Sequence, residues 1–399
     1  MRSRAKAWKR APSYFIVEAP GMTGKAGREQ TILEIWQAAI EAVSGRQAVL
    51  NALAADSEFT PDLVMAVGKA ASGMCRGALQ RVPDCAALVV TKYHHSDPIL
   101  CANPRVRVIE SAHPIPDQHS LDAGRALLGR MRSMPAGSRV LLLVSGGASA
   151  LAEALPDGMS LADLQAITDD MIATGKTIGE INARRKQTSL IKDGKLIEAF
   201  SGAELRVYAI SDVEGDGIDT IGSGLGDCHR ARVLSVSKII ASNSIAREQA
   251  ARRARELGCQ VVMNQESLYG DVFDLAKKIG EQLRSAPPGV YILGGEPTVI
   301  LPAHPGRGGR NQSLALALAE AIAGRDDISI LVAGTDGTDG PTEAAGGLVD
   351  GATWHDPGAA RDALARADAG SWLAQNDALF VTGPTNTNVM DLVIAVIDP

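Results

Sequence analysis

Residues 304–312, HPGRGGRNQ, place two arginines and three glycines directly ahead of the helical run SLALALAEAI. A helix N-terminus already exposes free N–H groups and carries partial positive charge. Arg307 and Arg310 therefore do nothing for helix stability there. Together with Asn311 and Gln312 they make a donor-rich mouth suited to a phosphate or a carboxylate. LVMAVGKAASGM (63–74) sets Lys69 at a strand-to-helix junction, where a cation opposes the helix dipole unless it serves an anion. VLLLVSGGASA (140–150) runs an apolar strand into Ser145-Gly146-Gly147. Glycines let such a turn present its N–H groups to an anion, and the hydroxyls of Ser145 and Ser149 add donors. The turn is neither a Walker A loop nor a G-x-G-x-x-G fingerprint.

Two acidic loops complete the chemistry. ISDVEGDGID (210–219) carries Asp212, Glu214, Asp216 and Asp219, and AGTDGTDGPTEAAGG (333–347) carries Asp336, Asp339 and Glu343. Asp-Gly pairs form turns readily, and neither loop has EF-hand spacing. Phosphoryl transfer asks for backbone donors, a lysine or arginine clamp, a divalent cation on phosphate oxygens, and a carboxylate near the attacking hydroxyl. Residue types for all four are present. Asp212 is the carboxylate expected nearest the reacting hydroxyl or its metal ion, with Asp216 as a second metal ligand and Asp336 in support. The seven histidines form no zinc-like pair. His94 and His95 read as loop residues, and His113 in SAHPIPD as a core or turn residue, with an approach to the cleft as the alternative. Ser149 lacks the second glycine of G-x-S-x-G and assignable His and Asp partners, which speaks against a serine hydrolase.

The elements that must hold these groups alternate in type. LVMAV (63–67), AALVV (86–90), VRVIE (106–110), VLLLV (140–144) and LRVYAIS (205–211) read as buried strands, with helical spacing over 69–81, 117–133 and 160–174. This alternation predicts a parallel sheet covered on both faces, and one helix over 31–54 is expected beside it. The pattern restarts at KIIAS (238–242), then a helix over 244–257, CQVVM, a helix over 271–284 and VYILGG. ISILVAGTDG, a helix over 358–366, LFVTG and LVIAVI follow. A boundary is therefore expected near 236–241. The chain has 399 residues, 45% apolar and 22% charged, as in a soluble two-domain protein. Its net charge of −6 gives no basic field for nucleic acid or an anionic membrane. Five unpaired-looking cysteines point to a reducing cytoplasm. The basic start MRSRAKAWKRAPS lacks a signal-peptide core and reads as a frayed tail.

AVGKAASGM, AHPIPDQHSLDAG, LLVSGGASAL, GEINARRK, ISDVEGD, IGSG, ILGGEPTV, GRGGRNQSLALA, AGTDGTDGPTEAAGG and VTGPTNTNVMDL together resemble the type II glycerate 2-kinases. These are MOFRL-containing proteins of bacteria and archaea, often labelled hydroxypyruvate reductases. The resemblance runs from about residue 31 to the end of the chain. It implies an α/β fold of two domains with the active site in the cleft between them. An N-terminal Rossmann-like domain with a parallel sheet would span 31–236, and a C-terminal MOFRL-type domain with a mixed sheet 241–399. It implies ATP and Mg²⁺ or another divalent cation as cofactors, D-glycerate as the small-molecule substrate, 2-phosphoglycerate as the product, and room for a homodimer. Lys69 and Arg310 match the family's catalytic lysine and arginine. Glu296 from ILGGEPTV, Asp336 and Asp339 from the second acidic loop, and Thr385 and Asn388 from VTGPTNTNVMDL join Ser145, Gly146, Gly147, Ser149, Arg307, Asn311 and Gln312 as expected ligand-binding residues.

Two departures stand out. The family reads S-G-G-G-S where this chain has Ala148, an alanine expected to narrow the loop, and S-G-P-T becomes SGLGDC (223–228). A related hydroxy acid is thus an alternative substrate. An NAD(P)-dependent hydroxypyruvate reductase would need a dinucleotide fingerprint, which the sequence lacks. A non-catalytic binding protein would have no use for the lysine, the arginines and both acidic loops.

Overall fold

The computed structural model describes residues 24–174, 176 and 178–399, so the tail reading of MRSRAKAWKRAPS lies outside the described residues. The chain divides into two compact units. One holds Val43–Ser242 and Asn386–Val389; the other holds Asn243–Thr385, Met390–Pro399 and residues 24–42.

The first unit is built on β1 (Leu63–Val67), β2 (Ala86–Lys92), β3 (Val106–Ser111), β4 (Arg139–Val144), β5 (Glu204–Ile210) and β6 (Leu234–Ala241). All six are parallel, in the order β3-β2-β1-β4-β5-β6. Every residue of β1 is buried, which is why LVMAV is apolar without alternation. Strand order reverses between β1 and β4, and open α/β sheets bind ligands outside the carboxyl ends at such a point. KIIA of KIIAS, expected to open the second domain, is instead the end of β6, one of the two edge strands of this sheet. The reason is local: an edge strand is half solvated, so LSVSKIIA alternates in exposure and does not read as the continuation of a buried sheet.

The second unit contains β7 (Val261–Glu266), a two-residue pair of β8 (Gly270–Asp271) with β10 (Pro297–Thr298), β9 (Gly289–Gly295), β11 (Ile328–Gly334), β12 (Gly346–Asp350), β13 (Leu379–Phe380) and β14 (Asp391–Ile397). Its main sheet runs β13-β12-β11-β14-β9-β7, antiparallel except for β7 beside β9. The helix Arg310–Ala321 lies in its core, with Asn311 through Ala319 all buried. β12 begins Gly-Gly, which a sequence reading takes for a turn. Here a Cβ on Gly346 would collide with the Val332 carbonyl, so glycine is what lets this strand pair with β11.

The single helix expected over 31–54 is two, Lys25–Val43 and Gly45–Ala55, broken at Ser44, whose hydroxyl accepts from Gln47 N–H. The first belongs to the second unit. Arg28, 3% exposed, donates from Nη1 to Asp398 at 2.5 Å, from Nε to Ser329 at 3.0 Å and from Nη2 to the Asp326 carbonyl at 2.6 Å. Trp36 packs edge-on against Phe380 at 5.6 Å between ring centroids. Helical spacing identifies an apolar face but not which sheet will cover it. No described helix is long and apolar enough to cross a membrane.

Candidate active site

Three strand ends of the first unit converge. After β1, Gly68 takes a φ of +130°, and a Cβ there would collide with the Ser145 hydroxyl, so the turns after β1 and β4 lie against each other. Backbone hydrogen bonds lock them. Lys69 N–H donates to the Gly146 carbonyl at 2.9 Å and Ser145 N–H to the Val67 carbonyl at 2.9 Å. Ser145 Oγ, buried, accepts from Ala70 N–H at 3.1 Å. The third loop follows β5: a Cβ on Gly146 would strike the Asp212 carboxylate, so Asp212 rests on the glycine turn. Lys69 is partly exposed, and its ammonium has neither a hydrogen bond nor an ion pair among the described residues. Lys69, Ser145, Gly146, Gly147 and Asp212 are thus brought together as the sequence suggests.

Others in this unit stand differently. Ser149 Oγ shares a 2.8 Å hydrogen bond with Ser223 Oγ, which ties the glycine turn to the SGLGDC segment. Ala148 is the first residue of the helix Ala148–Leu151, and a Cβ on Gly222 would stand 3.0 Å from its methyl. The positive φ of this turn, +83°, falls on Gly147, so Ala148 carries no left-handed strain. Asp216, at φ +53° in the turn Glu214–Asp216, has no side-chain hydrogen bond or ion pair among the described residues. No group of three or more His, Cys, Asp or Glu among the described residues could hold a metal ion. Asn388 belongs to this unit through the segment Asn386–Val389, which Thr387 fastens by donating to the Val43 carbonyl at 2.6 Å.

The second unit answers why arginines crown the helix Arg310–Ala321. The free N–H groups of Asn311 and Gln312 donate to the two carboxylate oxygens of Asp339, at 3.1 and 2.8 Å. An internal carboxylate thus fills the mouth expected to hold a ligand anion, and Asp339, named as a ligand-binding residue, is spent on this cap. Arg310 donates from Nε to Asp391 and from Nη1 to Glu296, both at 2.7 Å. Asp391 also accepts from Asn311 Nδ2 at 3.0 Å. Burial drives the Asp391 carboxyl upward, while Arg310 and Asn311 pull it back toward the charged form. Burial works against the charge on Arg310, but Asp391 and Glu296 outweigh it and hold the guanidinium above its ordinary range. Glu296 is exposed, so Arg310 has one fixed anchor and one partner that a ligand can displace. Gln312 Nε2 donates to Thr342 at 2.7 Å.

Arg307 is exposed; its N–H donates to Asp368 at 2.9 Å and its guanidinium has no partner among the described residues. Asp336 accepts from both the N–H and hydroxyl of Thr338 at 3.0 Å, the Asx-turn geometry of its loop. Thr385 Oγ1 donates to the Thr335 carbonyl at 2.5 Å.

Sequence reasoning left two residues out of the site. Asp391 carried a readable signal, a lone acid heading the apolar run LVIAVI. His113 lies in the bend after β3, and its ring reaches Gly147.

The Asp339 cap gives a pH prediction. Burial pushes its carboxyl from 3.8 up to about 6, against the pull of the two N–H donors. The folded protein then binds the proton more tightly than the unfolded chain. That stabilising contribution is complete below the unfolded value and is lost as pH rises through about 6. Denaturant midpoints of wild type and Asp339→Asn should therefore diverge with pH: relative to the variant, wild type loses stability between about pH 4 and 6. A pH-independent difference would mean that Asp339 stays ionised throughout.

Comparison with known proteins agrees with this architecture. The family described as Domain of unknown function (DUF4147) matches residues 31–257, and the MOFRL family matches residues 289–391. A glycerate 2-kinase of Pyrococcus horikoshii is 34% identical over 388 residues, covering 84% of this chain and 87% of that protein. A D-glycerate 2-kinase of Thermotoga maritima is 32% identical over 414 residues, covering 92% and 97%. The crystal structure of a glycerate kinase from Thermotoga maritima superposes with a TM-score of 0.85 at 30% identity, over 94% of this chain and all of that one. A solved Pyrococcus horikoshii protein gives 0.77 at 32% identity, over 93% and 98%. The fold and site define a two-unit α/β phosphotransferase, and the chain belongs to the DUF4147–MOFRL family of glycerate kinases.

Proposed function

We propose that this chain transfers the γ-phosphoryl group of ATP to the 2-hydroxyl of D-glycerate, giving 2-phosphoglycerate and ADP. The observation that carries this reading is the meeting of Lys69, the Ser145–Gly147 turn and Asp212 at the switch point of the parallel sheet. Phosphoryl transfer is catalysed mainly by positioning and charge neutralisation. The unengaged Lys69 ammonium neutralises charge growing on the transferred group, and the glycine turn presents backbone donors beside it. Asp212 orients the attacking hydroxyl and accepts its proton. The donor set also suits Mg²⁺, which needs only one or two protein carboxylates beside phosphate oxygens and water. Asp212 and Asp216 are the residues that would hold it, and when bound it would neutralise β- and γ-phosphate charge. In the second unit, Arg310 offers Nη2, which has no partner among the described residues, to a phosphoryl or carboxylate oxygen.

A dinucleotide reductase is disfavoured by the turn after β1. It reads Gly68-Lys69-Ala70-Ala71-Ser72-Gly73, with Ala70 where a pyrophosphate fingerprint needs its second glycine. The Ala70 N–H is moreover already given to Ser145. One pair of coupled assays decides: ADP release dependent on D-glycerate supports the kinase, and NADH oxidation with hydroxypyruvate replaces it with a reductase.

Asp212→Asn tests the carboxylate. Asparagine keeps the shape and forms Asx-turns equally well, but loses charge and basicity. Turnover should fall by roughly 10²-fold or more, as for a lost general base. Full activity with an unchanged metal requirement would reduce Asp212 to a turn former.

A further inference from the structure

His113 follows β3, and β2 and β1 separate that strand from β4 in the sheet. Its ring nevertheless lies on the turn after β4. A Cβ on Gly147 would stand 3.0 Å from His113 Cδ2, 3.2 Å from Nε2 and 3.2 Å from Lys69 Cγ. Those distances are too short for a side chain, so the imidazole and the lysine stem both close directly over Gly147. The segment carrying the ring is held on both sides. Ser111 Oγ donates to the Leu151 carbonyl at 2.8 Å, beyond the glycine turn. Ala112 N–H donates to Asp117, whose carboxylate also caps the helix Gln118–Arg132. The ring is therefore set in place before any ligand arrives, which is what a binding group requires.

The choice of residue is costly for structure alone. Burial lowers the imidazole to about 4, and the charges of Lys69 and Lys92 act in the same direction, so the ring is neutral near pH 7. An apolar side chain would fill that space without desolvating ring nitrogens between two lysines. Local choices that oppose stability concentrate at functional sites.

We propose that His113 is a ligand-contacting residue of the Lys69 site, its Nε2–H donating to an oxyanion of the ligand held beside the glycine turn. A neutral imidazole adds a directional donor without a second positive charge, and so complements the mobile ammonium of Lys69. The inference rests on the kinase reading and deepens it. Both the transferring phosphoryl group and the substrate carboxylate offer such an oxygen.

Three variants test it. His113→Gln sets an amide N–H near the place of Nε2, His113→Asn sets one near Nδ1, and His113→Leu keeps bulk without a donor. In the glycerate-dependent ADP assay, His113→Leu should lose about 10- to 100-fold in kcat/KM, the span of one hydrogen bond to a charged group. His113→Gln should recover most of that, and His113→Asn should not. A loss in kcat marks the phosphoryl oxygen, and a rise in the D-glycerate KM alone marks the carboxylate. Wild-type kinetics in His113→Leu, or equal impairment of the Gln and Leu variants, overturns the inference. If His113→Leu fails to fold, the Gln against Asn comparison carries the test. Imidazole ¹⁵N spectra separate this from failure of the kinase reading. Absence of glycerate-dependent ADP release from wild type sinks that reading. An Nε2 resonance unmoved by D-glycerate and by a non-hydrolysable ATP analogue with Mg²⁺ sinks the role of His113.

Discussion

Lys69→Ala should lower kcat by roughly 10²-fold or more while leaving the melting temperature nearly unchanged. Both halves follow from where the lysine sits. It stands at the junction of β1 with the helix Ala71–Arg81, partly exposed, and its ammonium holds nothing among the described residues. The backbone bond from Lys69 N–H to the Gly146 carbonyl, which fastens the two turns, survives in alanine. What disappears is a charge whose interaction grows as the phosphoryl group develops negative charge, so the loss falls on kcat more than on KM. A folded Lys69→Ala protein with near wild-type turnover would remove the lysine from the site.

Arg310→Lys keeps the charge, yet kcat/KM should fall about 10- to 150-fold, the equivalent of ~1.5–3 kcal/mol for a charged hydrogen bond. The guanidinium donates in two directions, Nε to buried Asp391 and Nη1 to exposed Glu296, and still leaves Nη2 over. A lysine ammonium cannot keep the Asp391 anchor and also present a planar fork to an oxyanion. Loss in kcat would mean that Arg310 meets the transferring phosphate, and loss confined to the D-glycerate KM that it meets the substrate carboxylate. The first is expected, because contact with a phosphoryl group tightens as charge develops. A lowered melting temperature with unchanged kinetics would leave Arg310 as the structural partner of Asp391 only.

The parts of the site that were legible are those where local chemistry is one-sided. Four of the first sheet's strands are apolar because both faces are covered, so LVMAV and VLLLV announced their strands, and the glycines after them announced tight turns. Lys69, Ser145 and Asp212 fell at the ends of β1, β4 and β5, where strand–helix alternation alone places them. The arginines before the helix Arg310–Ala321 were equally visible, but their partners were not. Asp339 is 28 residues from the Asn311 N–H it caps, and Asp391 is 81 residues from Arg310. A donor-rich helix mouth reads the same whether its anion is a ligand or a distant carboxylate.

What the sequence determined by itself was the buried strands and the residue types gathered at their ends, since burial and turn propensity act over neighbouring residues. Tertiary structure decided ownership and pairing. It assigned the helix Lys25–Val43 to the second unit through Arg28 and Trp36, and β6 to the first sheet as its edge. It gave the helix mouth to Asp339, and it carried His113 past two intervening strands onto Gly147. Each of these rests on contacts between residues far apart in the chain, where an amphipathic face or a charge has many chemically equivalent partners. Only packing and hydrogen-bond geometry in the folded protein select among them.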